Sequence, residues 1–80
     1  MVIYTQKFES DVKKLRGSPL TEGLKKQIAK VVEHPDVGKP LRYGLRGERT
    51  LRAEPYMLIY AVQGENLILL RFEHRKNVYG

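Results

Sequence analysis

The sequence predicts a small α+β domain in the order β-α-α-β-β-β, with two antiparallel helices packed on one face of a small antiparallel sheet. Three observations predict it. Two apolar runs at residues 56–62 and 67–72, rich in Ile, Val, Leu and aromatic residues, flank Gln63-Gly64-Glu65-Asn66 and read as a β-hairpin. Between residues 8 and 32 the apolar positions recur at helical spacing instead. The chain has 80 residues, enough for one domain spanning 1–80 that buries only ~60% of its unfolded surface. Such a core is too small for a deep cofactor pocket.

Each element follows from its residues. Residues 2–8 (Val-Ile-Tyr-Thr-Gln-Lys-Phe) form a first strand, with β-branched and aromatic side chains in rough alternation. Phe8, Val12 and Leu15 then fall at i, i+4 and i+7, one face of a short helix. Glu9 and Asp11 in its first turn and Lys13, Lys14 and Arg16 in its last suit the helix dipole, and Gly17-Ser18-Pro19 ends it. Thr21 is the expected N-cap of the second helix, with Leu24, Ile28, Val31 and Val32 as its apolar stripe. Lys25, Lys26, Gln27 and Lys30 form its wet face. Pro35 stops it, and His34 reads as a helix-end residue. Residues 36–40 are a loop. Residues 42–52 hold four arginines and two glycines without a helical stripe, and residues 48–53 alternate as a strand. Tyr56 and Tyr60 are core residues with hydroxyls at the margin of the sheet.

Composition narrows the function. Fifteen Lys+Arg against nine Asp+Glu give a formal charge of +6, which suits a polyanion or an acidic protein. Lysines dominate the first half; arginines, whose planar fork suits phosphate, dominate the second. Without cysteine there are no disulfides or thiolate metal sites, and two histidines make a protein-built zinc site improbable. No apolar run approaches a membrane span, and no leader peptide is evident, so the expectation is a cytoplasmic protein that meets no membrane. Phosphate-binding loops, dinucleotide fingerprints and nucleophile elbows are missing from the sequence.

What remains is arginines, tyrosines and a C-terminal histidine. That kit suffices for one reaction, cleavage of RNA by its own 2′-hydroxyl without metal or cofactor. A base takes the 2′-OH proton, the oxygen attacks phosphorus, an acid protonates the departing 5′-oxygen, and cations hold the charge on the non-bridging oxygens. Histidine can serve as base or acid, arginine supplies charge, and tyrosine can stack on a base or donate a proton.

The pattern Gly38-Lys39-Pro40-Leu41, Leu45-Arg46-Gly47, Leu51-Arg52, Tyr56-x-Leu58-Ile59-Tyr60 and His74-Arg75-Lys76-x-Val78-Tyr79 resembles the RelE/ParE superfamily of toxins from type II toxin–antitoxin modules, over nearly the whole chain. The resemblance implies a RelE-like fold and a cognate RelB-like antitoxin as partner. In the RelE branch it implies a metal-independent mRNA endoribonuclease acting in the ribosomal A site, with mRNA and ribosomal RNA as further partners. The ParE branch shares the fold but poisons DNA gyrase. Carried over residue by residue, Arg52, His74, Arg75 and Tyr79 become the catalytic set. Arg46, Arg49, Arg71 and Lys76 become RNA contacts. Arg52 and Arg75 would hold the phosphorane charge, and His74 or Tyr79 would move protons. The sequence departs from the RelE pattern at Met57, where these nucleases carry Arg, and at Thr50, where some carry Lys. Either Arg46, Arg49 or Arg71 supplies the missing charge, or the chain is a weak or inactive nuclease that still binds its antitoxin.

Overall fold

The computed structural model describes residues 1–41 and 47–79. Five strands form one sheet in the order β1-β5-β4-β3-β2, with β1 at Val2–Tyr4, β2 at Lys39–Pro40, β3 at Glu48–Ala53, β4 at Tyr56–Gln63 and β5 at Asn66–His74. Helices α1 (Gln6–Lys13) and α2 (Leu20–Glu33) cover one face, and a short α3 (Arg75–Tyr79) follows β5. The α+β class and the order of the main elements are those the sequence predicts. The sheet is antiparallel except at β1, which runs parallel to β5 with Val2 opposite Leu67.

The hairpin is centred where the apolar runs put it. Gln63 pairs with Asn66 across a two-residue turn, and Gly64 there takes φ +59°, a conformation that favours glycine. A register shift follows, with Ile59 opposite Arg71 but Tyr60 opposite Leu69, so Leu70 bulges from β5. The core joins Leu58 and Tyr60 of β4 and Leu67, Leu69 and Phe72 of β5 to Phe8, Leu24 and Val31 of the helices.

The first strand is shorter than its composition suggests. It stops at Tyr4 because Thr5 caps α1, its hydroxyl accepting from the Phe8 N–H at 3.0 Å. Thr5 also binds β5: its N–H donates to the Leu69 carbonyl and its hydroxyl to that of Leu70. The second helix begins one residue before the expected cap, because Pro19 occupies the N-cap. Thr21 instead lies inside the helix, its hydroxyl bonded to the Leu15 carbonyl.

Packing of α2 on the sheet is close. The Gln27 side-chain amide donates to the Arg52 carbonyl, and a Cβ at Gly23 would touch that of Ala53. After α2 the chain turns into β2 over the buried Tyr60 ring. The Tyr60 hydroxyl donates to the Pro35 carbonyl at 2.7 Å and accepts from the Gly38 N–H at 2.8 Å. A Cβ at Gly38 would lie 2.6 Å from that hydroxyl and 2.7 Å from the Thr50 carbonyl oxygen, so only glycine fits. Among the described residues no helix is long and apolar enough to cross a membrane.

Candidate functional site

Strand register sorts the candidate residues by face. Leu51, Leu58 and Phe72 lie opposite one another, and the last two pack against the helices. Alternation therefore places Arg49, Ala53, Tyr56 and His74 on the helix side. The other face carries the cross-strand rows Arg52–Met57–Glu73 and Thr50–Ile59–Arg71.

On that second face Arg52 is 65% exposed and pairs with Glu54 at 3.7 Å. Met57 beside it is buried. Arg71 lies diagonally across Met57 and is held by Glu73, Nη1 to Oε2 at 3.2 Å. Where the RelE pattern has a cation, this face therefore has a buried thioether flanked by Arg52 and Glu73.

His74 is half-buried on the opposite side of the same sheet end. Its ring meets Tyr56 edge-on at 5.5 Å, and Tyr56 stacks on Phe72. The His74 Nδ1 accepts from the Lys76 N–H at 3.1 Å, so in the neutral ring the proton sits on Nε2. The ring opens on a cleft of about 180 Å³ lined also by Lys7, Lys14, Tyr56 and Asn77. Arg75 and Lys76 are exposed on α3, and the Arg75 N–H donates to the Pro55 carbonyl at 2.9 Å, tying α3 to the β3–β4 turn. Arg52, His74, Arg75 and Lys76 are thus brought to one end of the sheet, with Arg52 and His74 on opposite faces of it.

Arg49 is not brought there. Its guanidinium lies on the helix side and donates to the carbonyls of Gly38 at 2.7 Å and Asp36 at 3.3 Å. Arg46 lies outside the described residues, and for Tyr79 the described structure stops at its backbone, in α3. His34 ends α2, its N–H bonded to the Lys30 carbonyl. Among the described residues no three His, Asp or Glu side chains are grouped as metal ligands.

One network was not expected from the dipole reading of α1. Asp11 is buried, and its Oδ2 accepts from the Phe72 N–H at 3.0 Å, where β5 has run past the end of β1. The carboxylate thus closes a strand edge that would otherwise present a free donor. Lys7 bridges Asp11 Oδ1 at 2.5 Å and Glu73 Oε1 at 3.0 Å, and the hydrogen bonds to Asp11 and then to Glu73 raise its pKa above the usual lysine value. The signal was in the spacing: Asp11 falls three residues after Phe8 and four before Leu15, inside the apolar stripe.

Similarity to known proteins agrees with this architecture. The family model for the ParE toxin of the type II toxin–antitoxin system parDE matches residues 2–79. Escherichia coli YafQ superposes with a TM-score of 0.81 at 22% identity, over 100% of this chain and 98% of that one. A chain of the Mycobacterium tuberculosis toxin–antitoxin complex RelBE2 gives 0.75 at 31% identity, over 94% and 96%. A chain of the chromosomal ParDE system of Pseudomonas aeruginosa gives 0.67 at 17%, over 91% and 92%. No curated protein sequence is significantly similar to the chain.

Proposed function

The chain belongs to the ParE toxin family of type II toxin–antitoxin systems; within that family we propose that it acts on RNA, as a ribosome-dependent mRNA endoribonuclease held inactive by a cognate RelB-like antitoxin. The observation that carries this reading is the gathering of Arg52, His74, Arg75 and Lys76 at one sheet end, joined by the bond between Arg75 and the β3–β4 turn. In the proposed reaction the 2′-oxygen of the substrate bonds to phosphorus and the bond to the 5′-oxygen breaks. The products are a 2′,3′-cyclic phosphate and a 5′-hydroxyl. One of His74 and Tyr79 takes the 2′-hydroxyl proton and the other, in its protonated form, gives a proton to the leaving 5′-oxygen, while Arg52 and Arg75 stabilise the charge on phosphorus. Tyr79 can also stack on a base, and Arg46, Arg71 and Lys76 hold the backbone. Arg49 is left out of this set because the 36–38 backbone already occupies its guanidinium. The charge of +6 suits both RNA and an acidic antitoxin. The YafQ neighbour has also been solved as a DinJ–YafQ toxin–antitoxin complex.

One observation favours a second reading. Met57 is buried between Arg52 and Glu73, so the face carries no added cation where the nuclease branch has one. A gyrase-directed toxin that cuts nothing has no need of that charge. Primer extension on a reporter mRNA after brief induction separates the two, with Met57→Arg run in parallel. The nuclease reading expects cleavages inside translated codons that vanish when translation is blocked and increase with Met57→Arg. Growth arrest with intact mRNA in both versions selects the gyrase reading.

A further inference from the structure

Four charges of alternating sign run from α1 to the face of the sheet away from the helices. Asp11, the one buried charged side chain among the described residues, holds Lys7 at 2.5 Å. Lys7 holds Glu73 Oε1 at 3.0 Å, and Glu73 Oε2 holds Arg71 Nη1 at 3.2 Å. Glu73, whose side chain is only 16% exposed, is therefore shared between two cations. Its carboxylate stands at Arg71 where a phosphate oxygen would stand, since both anions seek the same guanidinium fork.

A carboxylate in that position competes with RNA. If Arg71 were its only partner, release would leave a largely buried charge uncompensated, which is strongly unfavourable. Lys7 changes this balance. It already binds the other oxygen of Glu73, and Asp11, itself fixed by the Phe72 N–H, keeps Lys7 in place. Arg71 can turn to phosphate while Glu73 keeps a cation.

We infer that Lys7 and Asp11 are positioning residues for a phosphate-binding site at Arg71, with Glu73 as a resident counter-charge that Lys7 retains when the backbone of single-stranded RNA takes the arginine. The inference rests on the RNA-directed reading above. It differs from a direct phosphate contact by Lys7, in which the lysine would act without regard to Glu73.

The test is the affinity of the full chain for a 2′-O-methyl oligonucleotide, which cannot be cleaved by 2′-hydroxyl attack, measured by fluorescence anisotropy over a salt series. Glu73→Gln is expected to tighten binding about fivefold, the scale of one partly buried ion pair, and to steepen the salt dependence by about 0.7 in log–log slope. Lys7→Ala is expected to weaken binding about fivefold, and Lys7→Arg to restore it. In the Glu73→Gln background, Lys7→Ala is expected to change affinity less than twofold; Asp11 loses Lys7 equally in both Lys7→Ala variants, so its effect on the fold cancels in the comparison. An equal loss from Lys7→Ala in both backgrounds overturns the inference and makes Lys7 an ordinary phosphate contact. Failure of the unaltered chain to bind the oligonucleotide overturns this inference, whereas the RNA-directed reading falls only if translated mRNA also stays intact on induction.

Discussion

Arg49 and Arg52 stand three residues apart on β3, and alternation sends them to different worlds. Arg49 points to the helix side and donates to two backbone carbonyls of the α2–β2 corner, where Tyr60 and Gly38 complete a fully bonded unit. Arg52 points to the other face, mostly exposed, with a carboxylate 3.7 Å away and nothing closer among the described ion pairs. The first arginine is tied to backbone carbonyls, one of them part-buried. The second leaves its charge available. An arginine-rich strand can therefore hold backbone-bound and solvent-facing cations side by side, and strand parity decides which is which.

If that contrast is right, the Tyr60 corner is where single atoms matter most to stability. Gly38→Ala puts a methyl group against the Tyr60 hydroxyl and the Thr50 backbone oxygen, at 2.6 and 2.7 Å, and a strand backbone has little room to yield. A loss of about 3 kcal/mol in denaturant unfolding is expected. Tyr60→Phe removes both bonds of the hydroxyl and strands the Gly38 N–H and the Pro35 carbonyl, for a loss of about 2 kcal/mol. An unchanged unfolding midpoint in either variant breaks the comparison.

The Tyr60 corner and the Lys7 network share a pH signature. Burial raises the pKa of the Tyr60 hydroxyl, and the hydrogen bond to Asp11 raises that of Lys7. In both groups the fold favours the protonated form. Their contributions are complete below the unfolded pKa values, near pH 10, and are lost as pH climbs through the folded ones. Melting temperature should thus fall between pH 9 and 11, at roughly the range where free tyrosine and lysine titrate, and fall less steeply in Tyr60→Phe. Parallel decline in the two proteins would remove Tyr60 from the account.

Much of this was legible beforehand, and the illegible parts share a physical cause. The hairpin, the helical stripe through Leu24, Ile28 and Val31, and β3 follow from local periodicity, which burial on one face enforces. The parallel placement of β1 does not, because Val2, Ile3 and Tyr4 look the same beside any strand. Thr5 and Asp11 were harder still. Their partners are on β5, more than 60 residues away, so a cap and an apparent dipole residue turned out to close a sheet edge. At the candidate site, residue types were readable but faces were not. Arg49 and Arg52 are both basic strand residues, and their parity against the helices depends on a register set by Tyr60 and Leu58. Likewise Met57 was readable as a missing charge, whereas its burial beside Glu73 needed the third strand.

The smallest stability effect carries the most functional information. Arg52→Ala removes a long, exposed ion pair and is expected to shift unfolding by less than about 0.5 kcal/mol. Arg49→Ala leaves the Gly38 carbonyl without its guanidinium donor and is expected to lose about 1.5 kcal/mol. Growth of cells expressing each variant should order the other way. Arg52→Ala, alone or with Arg75→Ala and Tyr79→Ala, relieves growth arrest in a protein whose melting is unchanged. Arg49→Ala lowers the melting temperature but keeps arrest wherever enough protein stays folded. Should a fully folded Arg52→Ala protein remain as toxic as the original chain, exposure on the open face would no longer distinguish a functional arginine from a solvated one. The assignment of that sheet end as the site would then fall with it.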